Sequence, residues 1–159
     1  DQGLVLIQDI KYNITLAVME QFIKGIGIDY RTEDDIAKSF YGKLDVRASG
    51  LSQLVQNLSG GNQQKVVLSK CLATSPKVLI LDEPTRGIYI GAKVALYELI
   101  AELASQGIGI ILISSEMPEV INMSTRMYVM REGKIMGSLE GADICEEQVI
   151  KLSLGGQNE

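Results

Sequence analysis

Histidine is absent from the 159 residues, and cysteine occurs only twice, at Cys71 and Cys145. Without histidine the commonest general base and a common metal ligand are gone. Any hydrolytic chemistry must then rest on a carboxylate, a hydroxyl or a group borrowed from elsewhere. Two cysteines make no disulfide framework, which favours a reducing compartment, and the apolar run LSKCLA predicts Cys71 as a buried thiol. No apolar run approaches the roughly eighteen residues that a membrane-spanning helix requires. The longest comparable stretch is IGIILI, 108–113. No signal-peptide pattern opens the chain. A basic surplus is lacking too. Lys and Arg number 15 against 20 Asp and Glu, a net charge of −5, which argues against nucleic acid as the main partner. The chain starts at Asp1, not Met, and DQGLVL runs straight into apolar sequence, as expected of a piece cut from a longer protein.

What is present points to a folded domain. Apolar residues make up 46% of the chain, enough for a sizeable core in one domain of this length. GLVLI near the start predicts a short strand. Ile10, Ile14, Ala17, Val18 and Phe22 fall at helical spacing and predict a helix over 9–24, with Asp9 as its N-cap and Gly25 as its stop. GIGID, 25–29, reads as a connection. Acids after Thr32 predict a helix over 33–43, and a short helix follows near 51–56. From there the pattern changes. Helices are predicted at 62–74, 91–106, 116–123 and 143–154, with buried strands at 76–83 and 107–114. Two short strands surround a Glu-Gly turn in 126–140, and GGQNE reads as a frayed tail. A helical first third followed by alternating helices and buried strands is an α/β pattern.

Two stretches carry chemistry. In LSGGNQ, Leu58–Gln63, two glycines stand before a helix whose first N–H groups and positive dipole end attract phosphate. Gly60 and Gly61 would let the backbone approach an anion, and Ser59 would add a hydroxyl. An ordinary helix capped by Ser59 accounts for these residues equally well. In VLILDE, Val78–Glu83, a strand delivers Asp82 and Glu83 at its carboxyl end, where α/β sheets place ligands. Asp82 suits Mg²⁺, and Glu83 could polarise a water. Solvated acids at a strand end are the plain alternative. Lys65 reads as helix surface, Arg86 as a solvated loop residue, and the methionines 117, 123, 127, 130 and 136 as core filling.

Together, LSGGNQ and LILDEP resemble the signature and second acidic motifs of the ATP-binding cassette family, with TRGIYIGAK where that family has its D-loop. The wording LSGGNQQKV with LDEPTRG is similar to the second cassette of bacterial monosaccharide importers of the ribose, xylose and galactose type. The resemblance implies a partial P-loop NTPase (RecA-like) α/β core with a parallel sheet and a helical subdomain. Residues 1–57 would hold the end of the core's incoming strand and the helical subdomain. Residues 58–159 would be the C-terminal part of the ATPase core. It implies ATP and Mg²⁺ as ligands of the full-length parent, with Glu83 catalytic and Asp82 at the metal. Ser59, Gly60, Gly61, Gln63 and Ser115 would contact nucleotide. Expected partners are a second ATPase cassette, membrane-spanning permease subunits and, indirectly, a sugar-binding protein. The expected place is the cytoplasmic face of the membrane, as a peripheral subunit.

Three departures stand against the family pattern. No G-x-x-x-x-G-K-[ST] loop is present, so the lysine and backbone nest for β- and γ-phosphate are missing. Its absence agrees with a chain cut before that loop, and leaves the piece alone expected to be inactive. Ser115, in ILISSEMPEV, stands where the family has its switch histidine. Tyr89 stands where the D-loop usually carries Asp. The competing readings are a non-catalytic cassette that binds partners or regulates, and a soluble cassette ATPase of DNA repair or translation. The acidity and the NQQKV wording disfavour the second of these.

Overall fold

The structure, a computed structural model, describes residues 3–155, and the last four residues of the GGQNE tail lie outside them. The described residues group into two compact units. One comprises the chain up to Leu79 together with Thr85–Ile110, and the other Ile80–Pro84 with Ile111 onward.

In the first unit, GLVLI forms no strand. Asn13, fully buried, takes the place of a strand partner. Its Oδ1 accepts from the Val5 N–H at 2.8 Å and its Nδ2 donates to the Val5 carbonyl at 3.1 Å. The Leu6 and Gln8 carbonyls accept from Gln56 and Val55 N–H groups. The run's polar backbone is thus satisfied by a side chain and a loop, and no ladder is needed.

Asp9 caps α1 (Ile10–Thr15) as its sequence position predicts, accepting from the Tyr12 N–H at 2.7 Å. The single helix expected over 9–24 is interrupted. It tightens into a 3-10 segment, Leu16–Gln21, with non-helical backbone at Val18 (φ −130°, ψ 26°). Val18 and Phe22 turn inward onto Ala73, with Ile36 and Phe40 alongside. GIGID becomes part of a small antiparallel hairpin, β1 (Ile23–Lys24) and β2 (Gly27–Ile28). α2 (Tyr30–Lys43) starts three residues before the predicted Glu33, because Asp29 caps it by accepting from the Thr32 N–H. A 3-10 turn, Val55–Asn57, leads to α3 (Gly60–Ala73). α4 (Ile90–Ser105) buries Leu96, Ile100 and Leu103, three residues of one helical face.

The two predicted strands are present as β3 (Val78–Asp82) and β4 (Gly109–Ile113), hydrogen-bonded neighbours. At their starts the Gly109 N–H donates to the Lys77 carbonyl, and at their ends the Glu83 N–H donates to the Ile113 carbonyl, so they run parallel. Their burial corrects the sequence reading. Leu79 and Leu81 are covered, whereas Val78 is 54% and Ile80 63% exposed. Only one face of β3 is packed among the described residues, and the continuous apolar run reads as two-sided burial only when a second layer lies over it.

In the second unit, α5 (Met117–Met123) precedes the antiparallel pair β5 (Arg126–Arg131) and β6 (Lys134–Glu140). The turn between them is Glu132-Gly133, both left-handed (φ 49° and 76°), as a two-residue hairpin of matching twist demands. α6 (Glu146–Ser153) lays Val149 and Leu152 on Met127 and Val129. Met127 is core as predicted, whereas Met130 is 64% exposed. Cys71 is partly covered, not fully, and that burial pushes its thiol pKa up. No helix among the described residues is long and apolar enough to cross a membrane.

Candidate functional site

The predicted site residues fall into two groups, one in each unit. In the first unit the chain passes from extended backbone at Leu58 and Ser59 directly into α3. Ser59 occupies the N-cap position but makes no side-chain cap. Its hydroxyl accepts from Asn62 Nδ2 at 3.0 Å. The first-turn N–H groups of α3 therefore lack that partner, which weakens the plain reading of Ser59 as a cap.

The two glycines differ in their reason. Among the described residues, a Cβ on Gly60 would meet the Gly87 carbonyl alone, at an ordinary 3.6 Å. A Cβ on Gly61 would stand 3.0 Å from Ala92 Cβ, so Gly61 lets the starts of α3 and α4 approach. Gln63 does not project freely. Its Nε2 donates to the Val55 carbonyl at 3.1 Å and reaches the Leu58 carbonyl at 3.5 Å. It therefore ties α3 to the turn before it.

Two braces escaped the sequence reading. Asn62 Oδ1 accepts from the Arg47 N–H at 2.8 Å, and Lys65 Nζ donates to the Asp45 carbonyl at 2.8 Å. Lys65 thus holds a loop and is not plain helix surface, its side chain being only 20% exposed. An amide or ammonium one or two turns into a helix gives no sequence signal of a loop some 15 to 20 residues earlier.

In the stretch TRGIYIGAK Thr85 is buried and its carbonyl accepts from the Ile88 N–H at 3.1 Å. Gly87 sits at φ 76°, where glycine alone is unstrained. Arg86, Tyr89 and Ile90 are exposed, Tyr89 at 84%.

The second group closes β3. Asp82 is exposed and Glu83 half-buried. Glu83 is left-handed at φ 47°, an uncommon state for a residue with a side chain. Its N–H donates to the Ile113 carbonyl at 2.8 Å, and its Oε1 accepts from the Ser115 N–H at 2.9 Å. Glu83 and Ser115 are thereby brought together, through the Ser115 main chain. Glu116 N–H in turn donates to Ser114 Oγ at 3.0 Å, shaping the turn that presents Ser115. No cluster of three potential metal ligands exists among the described residues. Asp82 fits as a single hard-oxygen ligand for Mg²⁺, an ion that commonly takes one or two carboxylates and completes its shell with water and phosphate.

The sequence profile of the ABC transporter family matches residues 4–86, just over half of the chain. The chain belongs to the ABC transporter family. Its relatives include the ribose import ATP-binding protein of Caldanaerobacter subterraneus subsp. tengcongensis, 47% identical over 158 residues. The xylose import ATP-binding protein of Geobacillus kaustophilus is 50% identical over 155 residues. These alignments take in 99% and 98% of this chain but 32% and 31% of those proteins, so the chain spans about a third of their length.

Among solved structures, the ATP-binding cassette MJ1267 of an ABC transporter, in its ADP conformation, superposes with a TM-score of 0.76 at 21% identity. The match covers 95% of this chain and 64% of that one. At that identity the likeness speaks for the fold alone. The α/β architecture of this ABC transporter chain is therefore that of part of a cassette core.

Proposed function

We propose that this ABC transporter chain serves two different ATP sites, as part of the second cassette of a bacterial monosaccharide importer. The names of its ribose- and xylose-import relatives support that substrate class, and the third of their length that it matches supports its being a portion of a longer ATPase. In that full-length protein Asp82 would hold Mg²⁺, which when bound neutralises phosphate charge. Glu83 would accept a proton from the attacking water while the water oxygen bonds to the γ-phosphorus and the bridging oxygen leaves with ADP.

Ser59, Gly60 and Gly61 would face the γ-phosphate of a nucleotide held by the other cassette. Gln63 supports them by fixing the turn. Ser115 would stand beside the γ-phosphate of this cassette's own nucleotide. The helical part before residue 58 would face the permease subunits, placing the assembly peripherally on the cytoplasmic side of the membrane. A sugar-binding protein would be reached only through those subunits.

One observation carries this reading. Glu83, the residue after Asp82 at the end of β3, is left-handed, donates its N–H to the Ile113 carbonyl, and has its carboxylate held by the Ser115 N–H. A base restrained in this way needs little reorganisation before accepting a proton. In the full-length protein, Glu83→Gln should lower steady-state ATP hydrolysis by about 100-fold or more, with ATP affinity nearly unchanged. The isolated chain, lacking the phosphate-binding loop, should show no turnover in the same assay.

A non-catalytic, partner-binding cassette is the second reading. It is favoured by Ser115, whose hydroxyl cannot do what a titrating imidazole does. Unchanged turnover in Glu83→Gln would decide for it.

A further inference from the structure

Glu83 meets the segment after β4 twice. Its N–H donates to the Ile113 carbonyl at 2.8 Å, and its carboxylate accepts from the Ser115 N–H at 2.9 Å. The two anchors are two residues apart, Ile113 at the end of β4 and Ser115 in the turn just beyond it. Glu83 makes both bonds from a left-handed backbone (φ 47°), an uncommon state for a residue with a side chain. Ser114 braces the same turn by accepting from the Glu116 N–H at 3.0 Å. Glu83 Oε1 is thereby engaged, and Oε2 is the other oxygen that can face a water.

We infer that Ser115 is a positioning residue for Glu83 and that it acts through its main-chain N–H, so that residues 113–115 aim the base. This rests on the reading of Glu83 as the proton acceptor. For the restraint on Glu83 the side chain at position 115 is interchangeable, and a serine there keeps the main-chain donor. What a substitution must preserve is the N–H itself and the turn that points it. Proline deletes the N–H; alanine keeps it.

The test compares four variants of the full-length protein. Ser115→Ala should lower kcat at least about fivefold less than Ser115→Pro does, because the donor to Glu83 is retained. Ser115→Pro should lower kcat by roughly tenfold to 100-fold, the scale of a misplaced catalytic group, with KM for ATP little changed. Hydrogen exchange read by mass spectrometry supplies an arm independent of activity and of whether the proline variant folds. In Glu83→Ala, the peptide spanning 112–117 should take up about one additional deuteron at short times, because one protected amide is released.

Equal loss in the alanine and proline variants would overturn the inference, since the side chain would then be acting. So would wild-type turnover in the proline variant, or unchanged exchange in Glu83→Ala. Glu83→Gln separates the two levels of the argument. If it turns over ATP normally, the role given to Glu83 fails, whereas the exchange result still reports whether the Ser115 restraint exists.

Discussion

The two regions that carry the candidate site residues are built by different means. In the first unit, side chains hold the glycine-led turn. Asn62 reaches the backbone of Arg47, Gln63 the carbonyls of Val55 and Leu58, and Lys65 the carbonyl of Asp45. In the second unit, main-chain groups hold the carboxylate. Glu83 is fixed by the Ile113 carbonyl and the Ser115 N–H. A turn held by side chains is vulnerable to substitution at every brace. A carboxylate held by main chain tolerates side-chain change around it and is sensitive only where the backbone itself moves. The Glu83 and Ser115 variants described above probe the second half of that contrast and carry the largest expected effects, on turnover.

The next largest effect concerns stability and sets one glycine of each unit against the other. A Cβ on Gly61 would stand 3.0 Å from Ala92 Cβ, an atom rigidly attached to the backbone of α4. A Cβ on Gly137 would stand 2.9 Å from Leu152 Cδ2, the far end of a flexible side chain. Relief at Gly61 requires a helix to shift, whereas relief at Gly137 requires a rotamer. Gly61→Ala should therefore destabilise the chain by about 1–3 kcal/mol, and Gly137→Ala by under about 1 kcal/mol. Urea denaturation midpoints of the two variants check this. A larger loss at Gly137 would break the comparison.

How legible these regions were follows from where their information lies. LSGGNQ and LILDE were readable because residue type carries them, and the Glu132-Gly133 hairpin because its turn requires left-handed residues. α4 followed from apolar spacing. GLVLI was misread because a strand needs a partner ladder, and here a buried asparagine outcompetes one. The break at Val18 was invisible because Phe22 keeps helical spacing while the backbone tightens to bury it. α2 begins before the acids that follow Thr32 because Asp29, three residues ahead of Thr32, caps it. In the site, the acids were apparent but their aim was not. A hydrogen bond from the Ser115 N–H belongs to every residue type except proline, so no side chain announces it.

Gln63→Leu gives a smaller effect in the first region. The substitution keeps much of the volume and removes the donor to Val55 and Leu58, both of them carbonyls of the preceding turn. A loss of about 0.5–1.5 kcal/mol is expected. Ser115→Ala should leave stability unchanged in the same denaturation experiment, because its contribution to Glu83 is main-chain. If the two variants behave alike, the division between side-chain and main-chain construction fails.

The smallest effect lies outside both site regions and isolates a side-chain cap in the first unit by its pH dependence. Asp29 accepts from the Thr32 N–H at 3.1 Å, from Thr32 Oγ1 at 2.9 Å and from Lys24 Nζ at 3.0 Å. The backbone N–H above all, with the Lys24 ammonium and the Thr32 hydroxyl, lowers its carboxyl pKa from 3.8 to about 2. A carboxyl whose folded pKa is depressed stabilises the fold above its ordinary value, and the contribution fades as pH falls from there towards about 2. Asp29→Asn keeps an N-cap oxygen but removes the charge. The gap in denaturation midpoint between wild type and this variant should be small near neutrality, hold constant down to about pH 5, and narrow by pH 3. A gap that stays constant to pH 3 would show that the charge of Asp29 contributes nothing and that the cap acts by geometry alone.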